Sequence, residues 1–235
     1  VSSRQEEKER RRREREEREQ AEKAKAAARR RLQLVGGGVL AVAAIAAVVI
    51  AIVASGGGSD DGPSKKVASV PIPARKITDF NAAVKASGCT YKNYPSEGRE
   101  HLSSDNAVFN GYKTNPPTSG NHVPIWAQDG VYAFGNSPPK EQTVHALEHG
   151  RIEFQYAKTA PKLVQDQLAT LWNEDLKGVQ GYHQLVFENQ TNMPYEVAAT
   201  AWTQMLACKT MNPRVFDALR AFRDRFVDKG PEIVA

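Results

Sequence analysis

The sequence is poor in the features that usually announce an activity. It holds only two cysteines, Cys89 and Cys208, and no Cys-x-x-Cys, so thiol–disulfide catalysis of the thioredoxin kind has no basis. There is no glycine-rich phosphate loop, no dinucleotide fingerprint and no Ca²⁺ loop. No G-x-S-x-G elbow surrounds Ser119, and nothing selects an acid partner for it among Asp105, Asp129 and Asp166. Charge of one sign is missing too, once the first 31 residues are set aside. Those carry 13 basic and 8 acidic residues, an excess of five, which equals the +5 of the whole chain. The remaining 204 residues balance at 19 and 19. The basicity belongs to a tail, and the rest offers no nucleic-acid-binding face.

What is present first is a long hydrophobic run. Residues 34–54, inside the segment 32–54, are uncharged and apolar, enough at 1.5 Å per residue to cross a ~30 Å hydrocarbon core. A transmembrane helix is expected there. The preceding charged arm, residues 1–31, is longer than a signal-peptide n-region, and the apolar run exceeds a typical h-region of about 7–15 residues. Arg29, Arg30 and Arg31 abut one end, whereas no Lys or Arg follows the other until Lys65. This asymmetry places the N-terminus in the cytoplasm and the rest outside it. The membrane is therefore an expected partner, through the span and through attraction of the basic tail to anionic headgroups. No protein partner is indicated.

Residues 55–71 are rich in Gly, Ser and Asp and read as a flexible linker. Residues 72–235 suffice for one hydrophobic core. Both cysteines fall here, in an oxidising compartment if the orientation is right, and a Cys89–Cys208 disulfide is expected. Two separate thiols are the alternative. Strands are expected at 131–134, 151–156 and 182–188; the run 196–206 is ambiguous. Helices are expected at 141–149, at 161–177 between Pro161 and Gly178, and after Asn212 and Pro213 up to Gly230. Residues 88–119 read mostly as ordered loop. The fold class is thus α+β or α/β, a single mixed-sheet extracytoplasmic domain behind one transmembrane helix. Trp126, Trp172 and Trp202 are expected in the core.

All five histidines, His101, His122, His145, His149 and His183, lie in this domain. His122 ends "NPPTSGNH" (115–122), where Gly120 permits a tight turn at a loop tip. His145 and His149 stand one helical turn apart in "VHALEHGRIEFQY" (144–156), a spacing that lets two imidazoles reach one ion.

With "GREHL" (98–102), "TAWTQMLAC" (200–208), Cys89 and the closing helix, these motifs stand in the order and spacing of a known family. Over about residues 80–228 the chain resembles the DUF3105 family of bacterial membrane-anchored proteins, a domain of unknown function. The resemblance implies one transmembrane helix and an outward-facing domain, and supplies no activity.

From the residues, a transition-metal site is expected with His122, His145 and His149 as ligands and His101 as a fourth, the ion being copper or zinc. Met193 is a candidate soft ligand for cuprous ion. Glu148 can orient an imidazole from outside the ligand shell, or pair with Arg151. His183 reads as structural. Two other readings remain open. "HALEH" matches the inverted zincin pattern H-x-x-E-H, in which Glu148 would activate water on zinc and Glu188 or Glu196 would complete the ligands. Alternatively the histidines only pack a helix end, in a metal-free interaction module.

Overall fold

The computed structural model describes residues 62–64 and 70–232. The expected charged tail and the expected span at 32–54 lie outside the described residues. No helix among the described residues is long and apolar enough to cross a membrane.

Helix α1 (Phe80–Ser87) is capped by the Asp79 side chain and ended by left-handed Gly88. It leads into strand β1 (Thr90–Asn93). After a long loop come β2 (Gly130–Val131), α2 (Lys140–Glu148), β3 (Ile152–Tyr156) and α3 (Lys162–Trp172). A small hairpin, β4 (Asp175–Leu176) and β5 (Val179–Gln180), precedes β6 (Gln184–Glu188), β7 (Val197–Ala201), β8 (Gln204–Cys208) and α4 (Val215–Phe226). The main sheet runs β1-β8-β7-β3-β6-β2, parallel across β3, β6 and β2 and antiparallel across β3, β7, β8 and β1. The protein is therefore α+β with a mixed sheet.

The differences from the sequence expectations are local and have physical causes. The third helix ends at Trp172, short of Lys177, because Lys177 and Gly178 both take positive φ (56° and 81°), the backbone a two-residue hairpin turn requires. The ambiguous run is a hairpin, β7 and β8, turning at Thr203 with φ 62°. The expected strand at 131–134 shrinks to Gly130–Val131. Strand β1 occupies part of the expected loop: Cys89 is bonded to Cys208, their Cα atoms 4.4 Å apart, which brings Thr90–Asn93 alongside β8. Asn212 does open the last helix, its Oδ1 accepting from Arg214 N at 2.9 Å, although regular helix starts at Val215. In the expected linker, Ser64 exchanges two backbone hydrogen bonds with Val131 of β2.

Alternation along the strands divides the chemistry of the sheet's two faces. Ile152, Phe154, Tyr156, Val186, Val197, Ala199 and Leu206 face one way, into the main core with Leu168 and Trp172 of α3 and Phe216, Leu219 and Phe222 of α4. Glu153, Gln155 and Thr200 face the other way, beneath α2, where Ala146 meets Leu185 and Phe187. Glu153 is wholly buried. Its Oε2 accepts from Thr200 Oγ1 at 2.7 Å and Gln155 Nε2 at 2.8 Å. Burial outweighs these bonds and pushes the Glu153 carboxyl up to about 8.

Two outcomes follow from this packing. Replacing Cys89 and Cys208 by serine frees a closure spanning 119 residues and should cost about 2–5 kcal/mol of stability, read as a lowered denaturant midpoint. Folded protein binds a proton at Glu153 that the unfolded chain releases near its ordinary value of 4.5. Stability should therefore fall as pH rises from about 5 to about 8, by on the order of a few kcal/mol. Glu153→Gln should flatten that slope in denaturant titrations at several pH values; an unchanged slope would refute the assignment.

Candidate metal centre

The site is built where α2 meets the long loop. Helix α2 is preceded by Pro138 and Pro139 and buries Thr143 through Glu148 in an unbroken run. Its end is a Schellman cap: Gly150, at φ 79°, donates to Leu147 O at 3.0 Å, and Arg151 donates to Ala146 O at 3.1 Å. The chain then enters β3. His145 and Glu148, three residues apart, project from the same side of this helix.

Opposite them lies the turn of "NPPTSGNH". Gly120 sits at φ 127°, and a Cβ there would stand 2.8 Å from the Tyr112 ring, so only glycine fits without movement. Ser119 is buried, its Oγ accepting from Glu97 N at 3.0 Å; it serves the turn, as its Thr-Ser-Gly setting suggests. Residues 98–102 run alongside this turn. His101 and His122 form a parallel bridge, with Leu102 N donating to His122 O at 2.7 Å and His122 N to Glu100 O at 3.1 Å. Two loop segments 21 residues apart in sequence are thereby held as a pair, each presenting one histidine.

His101, His122, His145 and Glu148 each offer one ligand atom, and these four atoms lie within 4.8 Å of one another. His122, His145 and Glu148 are buried; His101 is exposed. The imidazoles are oriented from behind. His122 Nδ1 lies 2.8 Å from Gly120 O, and His145 Nδ1 lies 2.8 Å from Val123 O. A carbonyl only accepts, so both Nδ1 atoms carry protons and both Nε2 atoms point away from the backbone. For His145, burial and the neighbouring His122, His149 and His101 pull the imidazole down to about 4, against a smaller opposing effect of the Val123 carbonyl. It is neutral at physiological pH, the form a metal requires.

His122 Nε2 lies 2.9 Å from Glu148 Oε2, but off the line of a hydrogen bond, so this buried nitrogen has no hydrogen-bond partner among the described residues. A lone pair and a carboxylate repel at that distance. A positive charge between them, whether a proton on the imidazole or a metal ion, removes the repulsion. Bonds of about 2.0–2.1 Å separate tetrahedral ligands by about 3.3 Å, so four atoms within 4.8 Å close on an ion with about an ångström of movement. This group can hold a metal ion.

The structure thus brings together three of the four expected histidines and places Glu148 with them, as a donor. His149, the C-cap of α2, is not in the group; its Nδ1 lies 3.3 Å from Glu232 O, and its ring stands 4.5 Å from that of His145 and 5.0 Å from that of Trp126. The zincin arrangement needs His145 and His149 on one ion with Glu148 held off it, and the grouping is different. Glu188 and Glu196, its candidate third ligands, bind the amides of Gly135 and Met211 instead. Met193 is buried in the turn after β6, its amide donating to Asn189 Oδ1 at 3.0 Å. His183 stands apart, its Nδ1 2.6 Å from Asp228 Oδ1.

Sequence reasoning missed two things. Of the three tryptophans, Trp172 belongs to the main core and Trp126 packs against the smaller apolar cluster under α2. Trp126 packs edge-on to His145 and His149, and Trp202, at the β7–β8 turn, edge-on to His122. Nor could spacing show the carbonyls of Gly120 and Val123 as orienting groups, although histidine two residues after glycine in a tight turn was a visible signal.

The motifs that shape this centre are matched by a family model described as "Protein of unknown function (DUF3105)" over residues 101–234. No curated protein and no solved structure matches the chain. The match covers more than half of the sequence and all four residues of the metal-capable group, and on that ground the chain belongs to the DUF3105 family.

Proposed function

We propose that this domain binds one divalent transition-metal ion, zinc or cupric copper, through His101, His122, His145 and Glu148. The observation that supports the reading most is the close approach of His122 Nε2 to Glu148 Oε2 inside a buried pocket, with both rear imidazole nitrogens already committed to carbonyls. Three imidazoles and a carboxylate, with both cysteines in a disulfide, form a nitrogen and oxygen set suited to Zn²⁺ and Cu²⁺ and less to cuprous ion. Exposed His101 leaves one side of the ion open to exchange, as a binder for delivery, storage or sensing needs. We further propose that residues 32–54 anchor the chain in the membrane, N-terminus inside, so that the metal is met outside the cytoplasm. The runner-up, a zinc hydrolase with Glu148 as base, would need His149 beside His145 on the ion, whereas the grouped donors are His101, His122, His145 and Glu148.

The test is metal content and affinity of the purified 235-residue protein. One Zn²⁺ or Cu²⁺ per chain is expected by elemental analysis. His145→Ala and Glu148→Gln should each weaken binding by about a hundredfold or more, since losing only an orienting partner outside the ligand shell already costs about 10–100-fold. Lys162→Ala, at an exposed position of α3, should leave binding unchanged. Full occupancy in the His145 variant would overturn the ligand assignment.

A further inference from the structure

The segment that follows α4 turns back onto the metal-capable end of α2. The last turn of any helix leaves four carbonyls without intrahelical donors. Here the Schellman cap satisfies Ala146 and Leu147, and His149 N donates to His145 O at 3.2 Å. The fourth is the carbonyl of Glu148 itself. It accepts from Glu232 N at 3.1 Å, a residue 84 positions away. Two further bonds run beside it: Asp228 N donates to Gly150 O at 2.9 Å, and His149 Nδ1 lies 3.3 Å from Glu232 O.

The fit admits little substitution. A Cβ on Gly230 would stand 2.0 Å from Glu148 O and 2.4 Å from Gly150 N, both backbone atoms. A Cβ on Gly150 would stand 2.7 Å from Asp228 Cα. Glycine is needed on both sides because two backbones touch there. The segment is also pinned from behind. Asp228, at φ 59°, holds Lys177 Nζ at 2.5 Å, His183 Nδ1 at 2.6 Å and the Tyr182 hydroxyl at 3.2 Å.

We infer that residues 228–232 are a positioning strap for the metal centre: by fixing the Glu148 and Gly150 carbonyls they set the aim of the Glu148 carboxylate, so that metal binding and strap docking reinforce one another. This rests on the proposed metal site and deepens it, since it names what controls affinity there. Residues that bind no metal, Gly230 and Asp228 foremost, then tune the site from behind. The coupling is reciprocal by linkage: whatever loosens the strap weakens the metal, and the metal tightens the strap by the same factor.

The experiment has two readouts on the 235-residue protein. Hydrogen exchange of the Asp228 and Glu232 amides is followed with and without Zn²⁺; saturating Zn²⁺ should slow both by about tenfold, within the usual range of such couplings. Gly230→Ala should weaken Zn²⁺ affinity by a similar factor, and Asp228→Asn, which leaves the backbone contacts in place, by less. Should Gly230→Ala fail to fold, the exchange measurement on unsubstituted protein decides alone. If Zn²⁺ binds but leaves those amides unchanged, the strap has no role and the metal site stands. If unsubstituted protein binds neither Zn²⁺ nor Cu²⁺, both ideas fall together.

Discussion

An imidazole nitrogen and a carboxylate oxygen lie 2.9 Å apart, out of water and without hydrogen-bond alignment, and such a pair repels unless a positive charge stands between them. Much of the architecture exists to hold that pair in place. The turn at Gly120 aims one ring, the Val123 carbonyl aims the next, and the end of α2 presents the carboxylate. Each of these supports is a backbone group. Their positions are fixed by glycines and caps, not by interchangeable side chains.

The sheet makes this possible by giving its two faces different tasks. One face carries the apolar core with α3 and α4 and supplies the hydrophobic stabilisation. The other carries the polar layer of Glu153, Gln155 and Thr200 under α2. A helix lying on such a layer needs no continuous apolar stripe, and α2 has none: Glu141, Thr143, His145 and Glu148 are buried along it with Val144, Ala146 and Leu147. The disulfide ties the start of β1 to the end of β8, and the pairing of the two strands carries the chain to Asn93, where the loop toward His101 begins.

Recognition of the chain rests on motifs whose physical meaning is now specific. "NPPTSGNH" is a turn that points one imidazole by its own carbonyl. "GREHL" is its parallel companion. "HALEHG" is a helix end whose glycine touches the returning C-terminal segment. Family membership by itself supplies no activity, so the reading of function rests on donor chemistry and geometry.

Sequence alone determined the helical and strand periodicities of the main elements, a mixed-sheet class between α+β and α/β, the expectation that the only two cysteines pair, and the candidacy of His101, His122, His145 and His149, because periodicity, turn chemistry and residue type act locally. Tertiary structure decided which donors share a point. It admitted Glu148 and left His149, the C-cap of α2, with its Nδ1 against the Glu232 carbonyl. It also decided that the third helix stops at Trp172 and that Trp126 and Trp202 wall the histidines. Contacts between segments tens of residues apart depend on how the faces pack, and no local pattern encodes them.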